Sequence, residues 1–448
     1  MKIKQFEDKN LSHYSYAVVS ECESEVILID PTRDPSLYYQ FANEFNAKIT
    51  GVIETHPHAD FVSGHLEIHQ MTGAEIFAGV GFKAAFPVTL LEDGQVLEIG
   101  KIKLTALHTP GHSPESICIV LQHNGKDHAV FTGDTLFVGD CGRPDLRGDG
   151  GNKDEARRKL ASQMYHSLRN QLMKLDDSVL LYPAHGAGTL CGKALSKESS
   201  STIGHEKKEN WSLQEMSEEA FIQELSEELP FIPAYFPYDV SLNQQGAPNV
   251  EESIAHALDF EEELDTKNLD EALWIIDARE QGVFKKGHLP HSINLMDETK
   301  FETWLGSLIQ PGEQFYLTTD NEVSLKMLIN RTAAIGYELF IKKAFVFHGA
   351  IVKEELIDIT KLKSDPESFT VIDVRNPDEV ADKKLFENSL NIPLYELPER
   401  WQEIPLHKPI AVHCAGGFRS AAASSLIGAN LKGKAHVYDI GKAIEKFG

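Results

Sequence analysis

Metal-ligating side chains follow four predicted strands in this sequence, and that placement restricts the folds open to the chain. The first segment is His56-Pro57-His58-Ala59-Asp60, directly after the apolar stretch at 51–54. Three later segments each carry His or Asp beside Gly or Pro, and they are 108–113, 131–135 and 182–186. A loop at a strand end lets a rigid sheet aim several ligands at one position. We therefore predict a sheet-based domain with a metal site at its strand ends.

Length and composition indicate a soluble protein of several domains. A chain of 448 residues is too long for one core, so two to three domains are expected. The formal net charge of −25 argues against nucleic acid or an anionic membrane surface as a partner. No apolar run is long enough to span a bilayer, and no signal peptide is visible after Met1. The five cysteines are widely spaced and odd in number, which favours free thiols and a cytoplasmic location.

Residues 1–240 form the first predicted domain, in which short β-rich segments alternate with turns. Strands are predicted at 26–30, 49–53, 102–107 and 179–182. Asn124-Gly125 between two further strands is a hairpin signal, and a helix is predicted from Asp154 to Leu175. This pattern indicates two sheets covered by helices. The stretch at 235–250, which contains Pro and Gly, is the predicted linker.

The rest of the sequence indicates a tandem duplication of one α/β domain. Similar predicted strands at 273–277 and 369–373 end in Asp277 and Asp373, which lie 96 positions apart. Leu317 and His413, at the ends of a second pair of similar strands, are also 96 positions apart. We predict one domain at 241–355 and a second at 356–448.

The order of the ligand segments resembles the metallo-β-lactamase fold, and residues 1–240 are similar to its glyoxalase II and persulfide dioxygenase branch. Three stretches resemble the persulfide dioxygenases that are fused to rhodaneses, and they are 60–65, 132–137 and 141–146. The resemblance implies an α/β multidomain protein. It would consist of an αββα sandwich followed by two rhodanese-like α/β domains with parallel sheets.

Phe61 bears on how many metal ions the first domain holds. In the dinuclear hydrolases of this fold, the resemblance assigns ligand positions to His56, His58, Asp60, His112, Asp134 and His185. The second metal requires one more His, and Phe61 stands at that position. A phenyl ring has no lone pair to offer, so a single metal ion is expected.

The single metal could be zinc or iron, and the spacing of the ligands does not choose between them. Three neutral His side chains would suit zinc and a hydrolytic water. His56, His112 and Asp134 would instead form the 2-His-1-carboxylate triad of non-haem Fe(II) oxygenases. The resemblance favours one Fe(II) per chain. In that case three neighbouring residues orient ligands or water, and they are His58, Asp60 and His185.

A cysteine loop between a strand and a helix marks the last predicted domain. Cys414 begins the loop and Arg419 ends it, and two glycines let backbone N–H groups point inward. Together with the helix N-terminus, this arrangement favours a thiolate at Cys414. The loop predicted to cradle a persulfide consists of Ala415, Gly416, Gly417 and Phe418.

Four residues separate Cys414 from Arg419, and this spacing resembles the rhodanese loop, whereas the related phosphatases have five. The resemblance implies a persulfide on Cys414 as the intermediate of sulfur transfer. The stretch at 373–379 matches the family, but the stretch at 385–390 departs from it and leaves its substrate contacts in doubt. In the first repeat, the 96-residue offset places Thr318 at the Cys414 position and Val323 at the Arg419 position. That repeat cannot form a cysteine persulfide, so a structural or docking role is expected.

Three further residues are weaker candidates. Cys191 lies six residues after His185 and is a candidate sulfur relay, with a small buried side chain as the alternative. Arg143 and Lys193 are candidates for gripping an anionic thiol carrier, with a solvated surface charge as the alternative for Lys193.

These features lead to the hypothesis of a bifunctional enzyme of sulfide detoxification. It would oxidise a low-molecular-weight thiol persulfide with O₂ to sulfite, and Cys414 would transfer sulfane sulfur to sulfite to give thiosulfate. One alternative is a mononuclear zinc thioesterase of the glyoxalase II type fused to a sulfurtransferase. Another is a non-enzymatic persulfide sensor or sulfur carrier. Members of the resembling family are commonly oligomers, so a homo-oligomer fits the resemblance.

Overall fold

The computed structural model describes residues 1–147, 152–193, 195–258 and 269–447. The chain divides into two compact units, one of residues 1–250 with 334–336 and one of 251–333 with 337–448. Among the described residues, no helix combines the length and the hydropathy needed to cross a membrane.

The first unit begins with a six-stranded mixed sheet whose strands lie side by side in chain order. The strands are β1 (Lys2–Asp8), β2 (His13–Ser20), β3 (Glu25–Ile29), β4 (Lys48–Glu54), β5 (Glu75–Gly79) and β6 (Thr89–Leu91). The pairs β1–β2 and β2–β3 are antiparallel, and the remaining pairs are parallel. All eight residues of β2 are buried, as expected for a strand covered on both faces.

A second six-stranded sheet faces the first. Its strands are β7 (Val96–Ile99), β8 (Ile102–His108), β9 (Ile117–His123), β10 (Lys126–Gly133), β11 (Leu180–Pro183) and β12 (Ser201–Thr202), in the spatial order β12-β11-β10-β9-β8-β7. The predicted hairpin joins β9 to β10, and Asn124 and Gly125 have φ angles of 52° and 75°. Two successive positive φ angles are what a type I′ turn requires, which confirms that prediction.

Helices cover the outer face of each sheet. The helices of the first unit are α1 (Ser36–Glu44), α2 (His65–Thr72), α3 (Lys153–Asn170), α4 (Ile203–Glu209), α5 (Glu218–Ser226) and α6 (Phe236–Gln245). The next helix, α7 (Val250–Leu258), begins at the last residue of the 1–250 segment of this unit and otherwise belongs to the second unit. Ile27 and Phe77 of the first sheet pack between the sheets against Leu104 and Phe131 of the second. Further apolar clusters lie under α1 and α2 on one side and under α3 and α5 on the other. The four layers confirm the expected αββα sandwich.

The stretch predicted as a linker, 235–250, ends at the boundary between the two units, and most of it is the helix α6. Pro237 lies in the first turn, where its missing N–H breaks no helical hydrogen bond. Gly246 follows the last turn with a φ of 86°. Proline near the start and glycine just after the end are typical of a helix, but the same residues in a short stretch also resemble a loop.

The second unit contains two four-stranded sheets in which all the pairs are parallel. The first sheet has β13 (Trp274–Asp277), β14 (Ser292–Asn294), β15 (Phe315–Thr319) and β16 (Ile341–Val346), and the second has β17 (Thr370–Asp373), β18 (Leu390–Asn391), β19 (Ile410–His413) and β20 (Val437–Asp439). The spatial orders are β14-β13-β15-β16 and β18-β17-β19-β20. The two sheets therefore have the same topology, which confirms the predicted duplication.

Helices pack around these sheets. They are α8 (Gln281–Lys286), α9 (Phe301–Leu308), α10 (Glu322–Ala333), α11 (Ile359–Ser364), α12 (Pro377–Asp382), α13 (Leu397–Arg400) and α14 (Phe418–Leu431). The buried face of α14 also packs against β14 of the other repeat. A backbone N–H of Asn294 in β14 donates to Oγ of Ser425 at 2.8 Å.

Strand register corrects the residue predicted to replace the cysteine in the first repeat. Asp277 pairs with Thr318, whereas the equivalent Asp373 pairs with His413. Thr318 is therefore the counterpart of His413, and the prediction that it stands at the Cys414 position was wrong by one residue.

Thr319, the last residue of β15, occupies the position equivalent to Cys414. Glu322 and Phe418 begin the following helices and are still 96 positions apart. The loop of the first repeat is thus one residue shorter, which a constant offset along the sequence cannot reveal.

Candidate functional site

Three buried side chains converge at strand ends of the first unit. His56 follows β4, His112 lies in the turn between β8 and β9, and Asp134 follows β10. The Oδ2 atom of Asp134 lies 3.4 Å from Nε2 of His112 and 3.8 Å from Nε2 of His56. The three donor atoms lie within 4.8 Å of one another, and each residue is 2% exposed. Three donor atoms at this separation can share one cation.

The protonation and hydrogen bonding of these residues fit a metal ion. Nε2 of His56 and Oδ2 of Asp134 are buried without a hydrogen-bond partner, which costs ~1–3 kcal/mol for each such atom. Burial lowers the pKa of His56 well below its usual range, and the nearby His58 lowers it further. Burial also lowers the pKa of His112. Neutral imidazoles are the form that binds a metal, and a cation would satisfy both unpaired atoms.

His112 is oriented by the stretch at 141–146 that carried the closer resemblance. Nδ1 of His112 lies 2.9 Å from the carbonyl oxygen of Arg143 and donates to it, which leaves Nε2 free to face Asp134. Gly142 makes this approach possible, because a Cβ atom there would lie 2.0 Å from the carbonyl oxygen of Asp134. The glycine and the arginine of this stretch therefore act through their backbone.

His185 bridges two carboxylates beside the three donors. Its Nδ1 lies 2.7 Å from Oδ1 of Asp134, and its Nε2 lies 2.8 Å from Oδ2 of Asp60. Burial alone would lower the pKa of His185, but Asp134 and Asp60 outweigh it and raise that pKa well above its usual range. This arrangement suits the positioning role that was predicted for Asp60 and His185.

His58 is turned away from the three donors and toward two carboxylates. Its Nε2 lies 3.1 Å from Oδ1 of Asp30 and 3.4 Å from Oε2 of Glu54. Burial opposes protonation, but Asp30 and Glu54 raise the pKa of His58 to about 10. Asp30 and Glu54 were not singled out from the sequence. The signal was their position at the ends of β3 and β4, the same kind of position that marked the ligand segments.

Phe61 occupies apolar space among the histidine rings. It is 1% exposed, and its ring centroid lies 4.0 Å from that of His13 and 4.3 Å from that of His58. His13 was also missed from the sequence, because it stands at the start of β2 without a ligand-like neighbour. The phenyl ring thus fills the place where the second metal of the dinuclear hydrolases would need a nitrogen.

A buried asparagine of α6 holds the backbone of the metal loop. Nδ2 of Asn243 donates to the carbonyl oxygens of His58 at 2.9 Å and Phe61 at 2.8 Å. Its Oδ1 accepts from the N–H of Ser63 at 2.8 Å. Because Asn243 was read as part of a linker, its role could not be inferred before the fold was known.

The weaker candidates have different surroundings. Cys191 is 1% exposed, and its Sγ lies within 4.8 Å of ligand atoms of Asp60 and His185. Burial, together with Asp60, raises the pKa of this thiol well above its usual range. Arg143 is 1% exposed and forms two hydrogen bonds to Asp145, so it offers no free guanidinium to a carrier, contrary to that prediction.

Lys193 donates through Nζ to the carbonyl oxygen of Glu224 at 2.5 Å, in an exposed position. This placement agrees with the alternative of a solvated surface charge.

The cysteine loop of the second unit is built at the end of β19. Cys414 is 2% exposed, and the N–H of Gly417 donates to its Sγ at 3.1 Å. Gly417 has a φ of 102° and immediately precedes α14, so the helix N-terminus lies behind the sulfur. Ala415 and Gly416 are exposed, and nothing lies within 4 Å of a Cβ placed on Gly416. The loop therefore has one open side through which a small donor can reach Cys414.

Arg419 is held by a carboxylate from α12. Its Nη1 and Nη2 donate to Oε2 and Oε1 of Glu379 at 2.5 and 2.8 Å. Burial would raise the pKa of Glu379, but the hydrogen bond and charge of Arg419 lower it. The sequence had marked the stretch at 373–379 without assigning this role to Glu379. Lys300 immediately precedes α9, and its backbone φ angle is 70°. It lies close enough to Arg419 and Glu379 for the charges of those two residues to act on its pKa.

The first repeat contains the same buried Asp–Arg ion pair as the second, but it lacks the cysteine and the arginine of the loop. Arg279 pairs with Asp277 at 2.6 Å, as Arg375 pairs with Asp373 at 2.6 Å. Val323, at the position of Arg419, is 71% exposed. The framework is thus retained where the nucleophile and the cation are absent.

Comparison with known proteins agrees with this architecture. Residues 9–185 match the metallo-beta-lactamase superfamily, and residues 256–353 and 356–447 match the rhodanese-like domain. The cytoplasmic hydroxyacylglutathione hydrolase of Arabidopsis thaliana is 32% identical over 39% of this chain and 63% of its own length. The mitochondrial persulfide dioxygenase ETHE1 of Bos taurus is 28% identical over 41% of this chain and 66% of its own length. The chain thus spans just under two thirds of these curated relatives.

A crystal structure of a metallo-beta-lactamase from Staphylococcus aureus subsp. aureus COL extends the similarity beyond the first domain. It is 30% identical, has a TM-score of 0.68, and covers 77% of this chain and 99% of its own. The chain therefore belongs to the metallo-beta-lactamase superfamily, as a domain of that fold followed by two tandem rhodanese-like domains.

Proposed function

We propose that this protein is a persulfide dioxygenase with a second, sulfurtransferase activity. In the first activity one thiol persulfide (RSSH) reacts with one O₂ and one water, and the products are the thiol, sulfite (SO₃²⁻) and two protons. In the second, the Cys414 thiolate takes the terminal sulfur of a persulfide and releases the thiol. Sulfite then takes that sulfur from Cys414 and leaves as thiosulfate, which restores the thiolate.

The observation that carries the dioxygenase proposal is the unpaired Oδ2 of Asp134 between His56 and His112. Two imidazoles and one carboxylate are the donor set of the non-haem Fe(II) oxygenases. Fe(II) bound by these three residues would leave coordination positions for both the persulfide sulfur and O₂. His185 keeps Oδ2 of Asp134 directed toward the histidines by occupying Oδ1.

The sulfurtransferase proposal is supported by the loop around Cys414. The Gly417 N–H and the N-terminus of α14 would stabilise negative charge on the sulfur, and Arg419 lies near enough for its charge to interact with that of a Cys414 thiolate. An anionic donor such as a persulfide or thiosulfate would approach through the open side at Ala415 and Gly416.

The test is O₂ consumption by the Fe(II)-loaded protein with glutathione persulfide as substrate. We expect persulfide-dependent O₂ uptake and sulfite formation, and loss of both in Asp134→Ala. Cys414→Ser should release sulfite in place of thiosulfate at an unchanged rate of O₂ uptake. Equal O₂ uptake in Asp134→Ala would refute the dioxygenase proposal, and unchanged thiosulfate in Cys414→Ser would refute the role of Cys414.

Similarity to the hydroxyacylglutathione hydrolases favours a second candidate, a mononuclear zinc thioesterase attached to the same sulfurtransferase. Three residues could orient a zinc-bound water in that case, namely Asp60, Asp134 and His185. Metal analysis of the purified protein and turnover of S-lactoylglutathione distinguish the two. Full zinc occupancy with thioester turnover and no O₂ uptake would select the thioesterase.

A further inference from the structure

A glutamine from the repeat without a cysteine contacts the loop that carries Cys414. Gln281 is the first residue of α8, and its Nε2 donates to the carbonyl oxygen of Gly417 at 3.2 Å. The same nitrogen donates to Oδ2 of Asp439 at 2.8 Å. Both repeats belong to one compact unit, so this contact is internal to that unit.

The contact is part of a small network around Gly417. Asp439 is 5% exposed, and it also accepts from Nζ of Lys285 at 2.8 Å and from the N–H of Gly441 at 2.8 Å. Gly441 packs against Gly417, where an added Cβ would lie 3.1 Å from the backbone of residue 441. The side-chain amide of Gln281 uses its two N–H groups on two acceptors, and neither acceptor belongs to its own repeat.

We propose that Gln281 is a positioning residue for the Cys414 loop, so that the cysteine-free repeat supports sulfur transfer in the other repeat. This inference rests on the proposed sulfurtransferase function. Gly417 donates its N–H to the sulfur and offers its carbonyl to Gln281. A hydrogen bond that holds the carbonyl therefore also restrains the N–H, because both flank one Cα.

The hydrogen bond from Gln281 matters because the backbone of Gly417 could otherwise change conformation easily. Its φ of 102° lies in the region that glycine adopts freely, and glycine has wide conformational freedom on both sides of the Cα. Gly416, the residue before it, is exposed with open space around it. A loop of this kind needs contacts from outside to keep its N–H groups directed at the sulfur.

A second hydrogen bond between the repeats provides a matched control. Asn294 donates its backbone N–H to Oγ of Ser425, which lies two turns along α14 from the loop. Ser425→Ala removes one contact between the repeats without touching Gly417. If the two repeats merely needed to be joined, Ser425 and Gln281 substitutions would have similar effects.

The experiment compares Gln281→Met, which keeps the volume, and Gln281→Glu, which places a carboxylate beside Asp439, with Ser425→Ala and the unmodified full chain. Sulfur transfer from thiosulfate to cyanide gives kcat and KM. The rate at which iodoacetamide alkylates Cys414, followed by mass spectrometry of its peptide, reports on the loop without any sulfur transfer.

We expect Gln281→Met to lower kcat and the Cys414 alkylation rate by about 3- to 10-fold, with KM for thiosulfate and the melting temperature little changed. Gln281→Glu should lower both rates at least as far, because it can no longer donate and repels Asp439. Ser425→Ala should leave both rates unchanged.

Unchanged alkylation and kcat in both Gln281 variants would overturn the inference, as would an equal loss in Ser425→Ala. If the unmodified chain transfers no sulfur at all, the proposed sulfurtransferase function fails. The alkylation rates then still decide whether Gln281 positions the loop.

Discussion

Nδ1 of His185 lies 2.7 Å from Oδ1 of Asp134, and this contact determines which carboxylate oxygen faces His56 and His112. Asp134 could otherwise rotate and present either oxygen. With Oδ1 engaged, Oδ2 remains without a hydrogen-bond partner and is directed at the two imidazoles. Oδ2 of Asp60 lies 2.8 Å from Nε2 of His185. Asp60 therefore helps to orient the His185 ring, and the His185 ring in turn orients the Asp134 carboxylate.

Removing this support should weaken metal binding without removing a ligand of the proposed triad. We expect His185→Ala to lower the affinity for Fe(II) by roughly 10- to 100-fold, as losses of outer hydrogen bonds to metal ligands commonly do. The measurement is a competition titration with a chelator of known affinity. Exposed His205 on α4 offers a control, and His205→Ala should bind Fe(II) as the unmodified chain does. An unchanged affinity in His185→Ala would contradict this orienting role of His185.

Replacing Phe61 with histidine should restore a second metal position. The new imidazole would follow Asp60 directly in the chain, with its ring beside those of His13 and His58, and it would supply the nitrogen that a phenyl ring lacks. After removal of the native metal and reconstitution with excess zinc, we expect the zinc content measured by elemental analysis to be one ion per unmodified chain and two per Phe61→His chain. Phe61→Leu, which changes the packing and adds no lone pair, should stay at one. Two zinc ions in the unmodified chain would show that Phe61 does not limit the metal content.

Asn243 should contribute to stability as well as to the shape of the metal loop. Its three hydrogen bonds to His58, Phe61 and Ser63 are buried, and Asn243→Ala would leave backbone groups unpaired. We expect the free energy of unfolding of the first unit to fall by about 1–3 kcal/mol or more in urea denaturation. Gln245→Ala, in an exposed position of the same helix, should stay within about 0.5 kcal/mol of the unmodified chain. Equal stability of the two variants would refute the anchoring role.

The second unit should lose stability as the pH rises toward neutrality, because of Glu354. Burial raises the pKa of this carboxyl to about 7, with Lys285 opposing the shift and Asp439 adding to it. A group whose pKa is raised on folding contributes its full stability below its unfolded pKa and loses it as the pH passes the folded value. The loss of stability therefore falls between the ordinary glutamate pKa of 4.5 and the folded-state pKa of about 7.

Glu354→Gln removes this titration, so its stability relative to the unmodified chain should be higher at pH 8 than at pH 5. Urea unfolding can be followed by tryptophan fluorescence, since three of the four tryptophans are in the second unit, namely Trp274, Trp304 and Trp401. A difference between the two chains that is the same at both pH values would contradict a raised pKa for Glu354.

Much of the architecture was predictable because its signals are local in sequence. Alternating and apolar runs indicated the strands, Asn124-Gly125 indicated the hairpin, and the repeated pattern around Asp277 and Asp373 indicated the duplication. These predictions depend on side-chain patterns and turn preferences within a few residues, and they were confirmed. The helix α6 within the predicted linker at 235–250 was missed for the same reason, since proline and glycine have similar local preferences at the ends of a helix and in a loop.

By itself, the sequence determined which donor types were present and that each follows a strand, and it identified the loop of Cys414 and Arg419. The tertiary structure alone decided that Oδ2 of Asp134 faces the histidines, that Asn243 holds the metal loop, and that Gln281 reaches Gly417. The hydrogen bonds behind these three relationships join residues that are between 51 and 185 positions apart in the sequence. Their distance and direction are set by how sheets and helices pack, and no pattern within one segment encodes that.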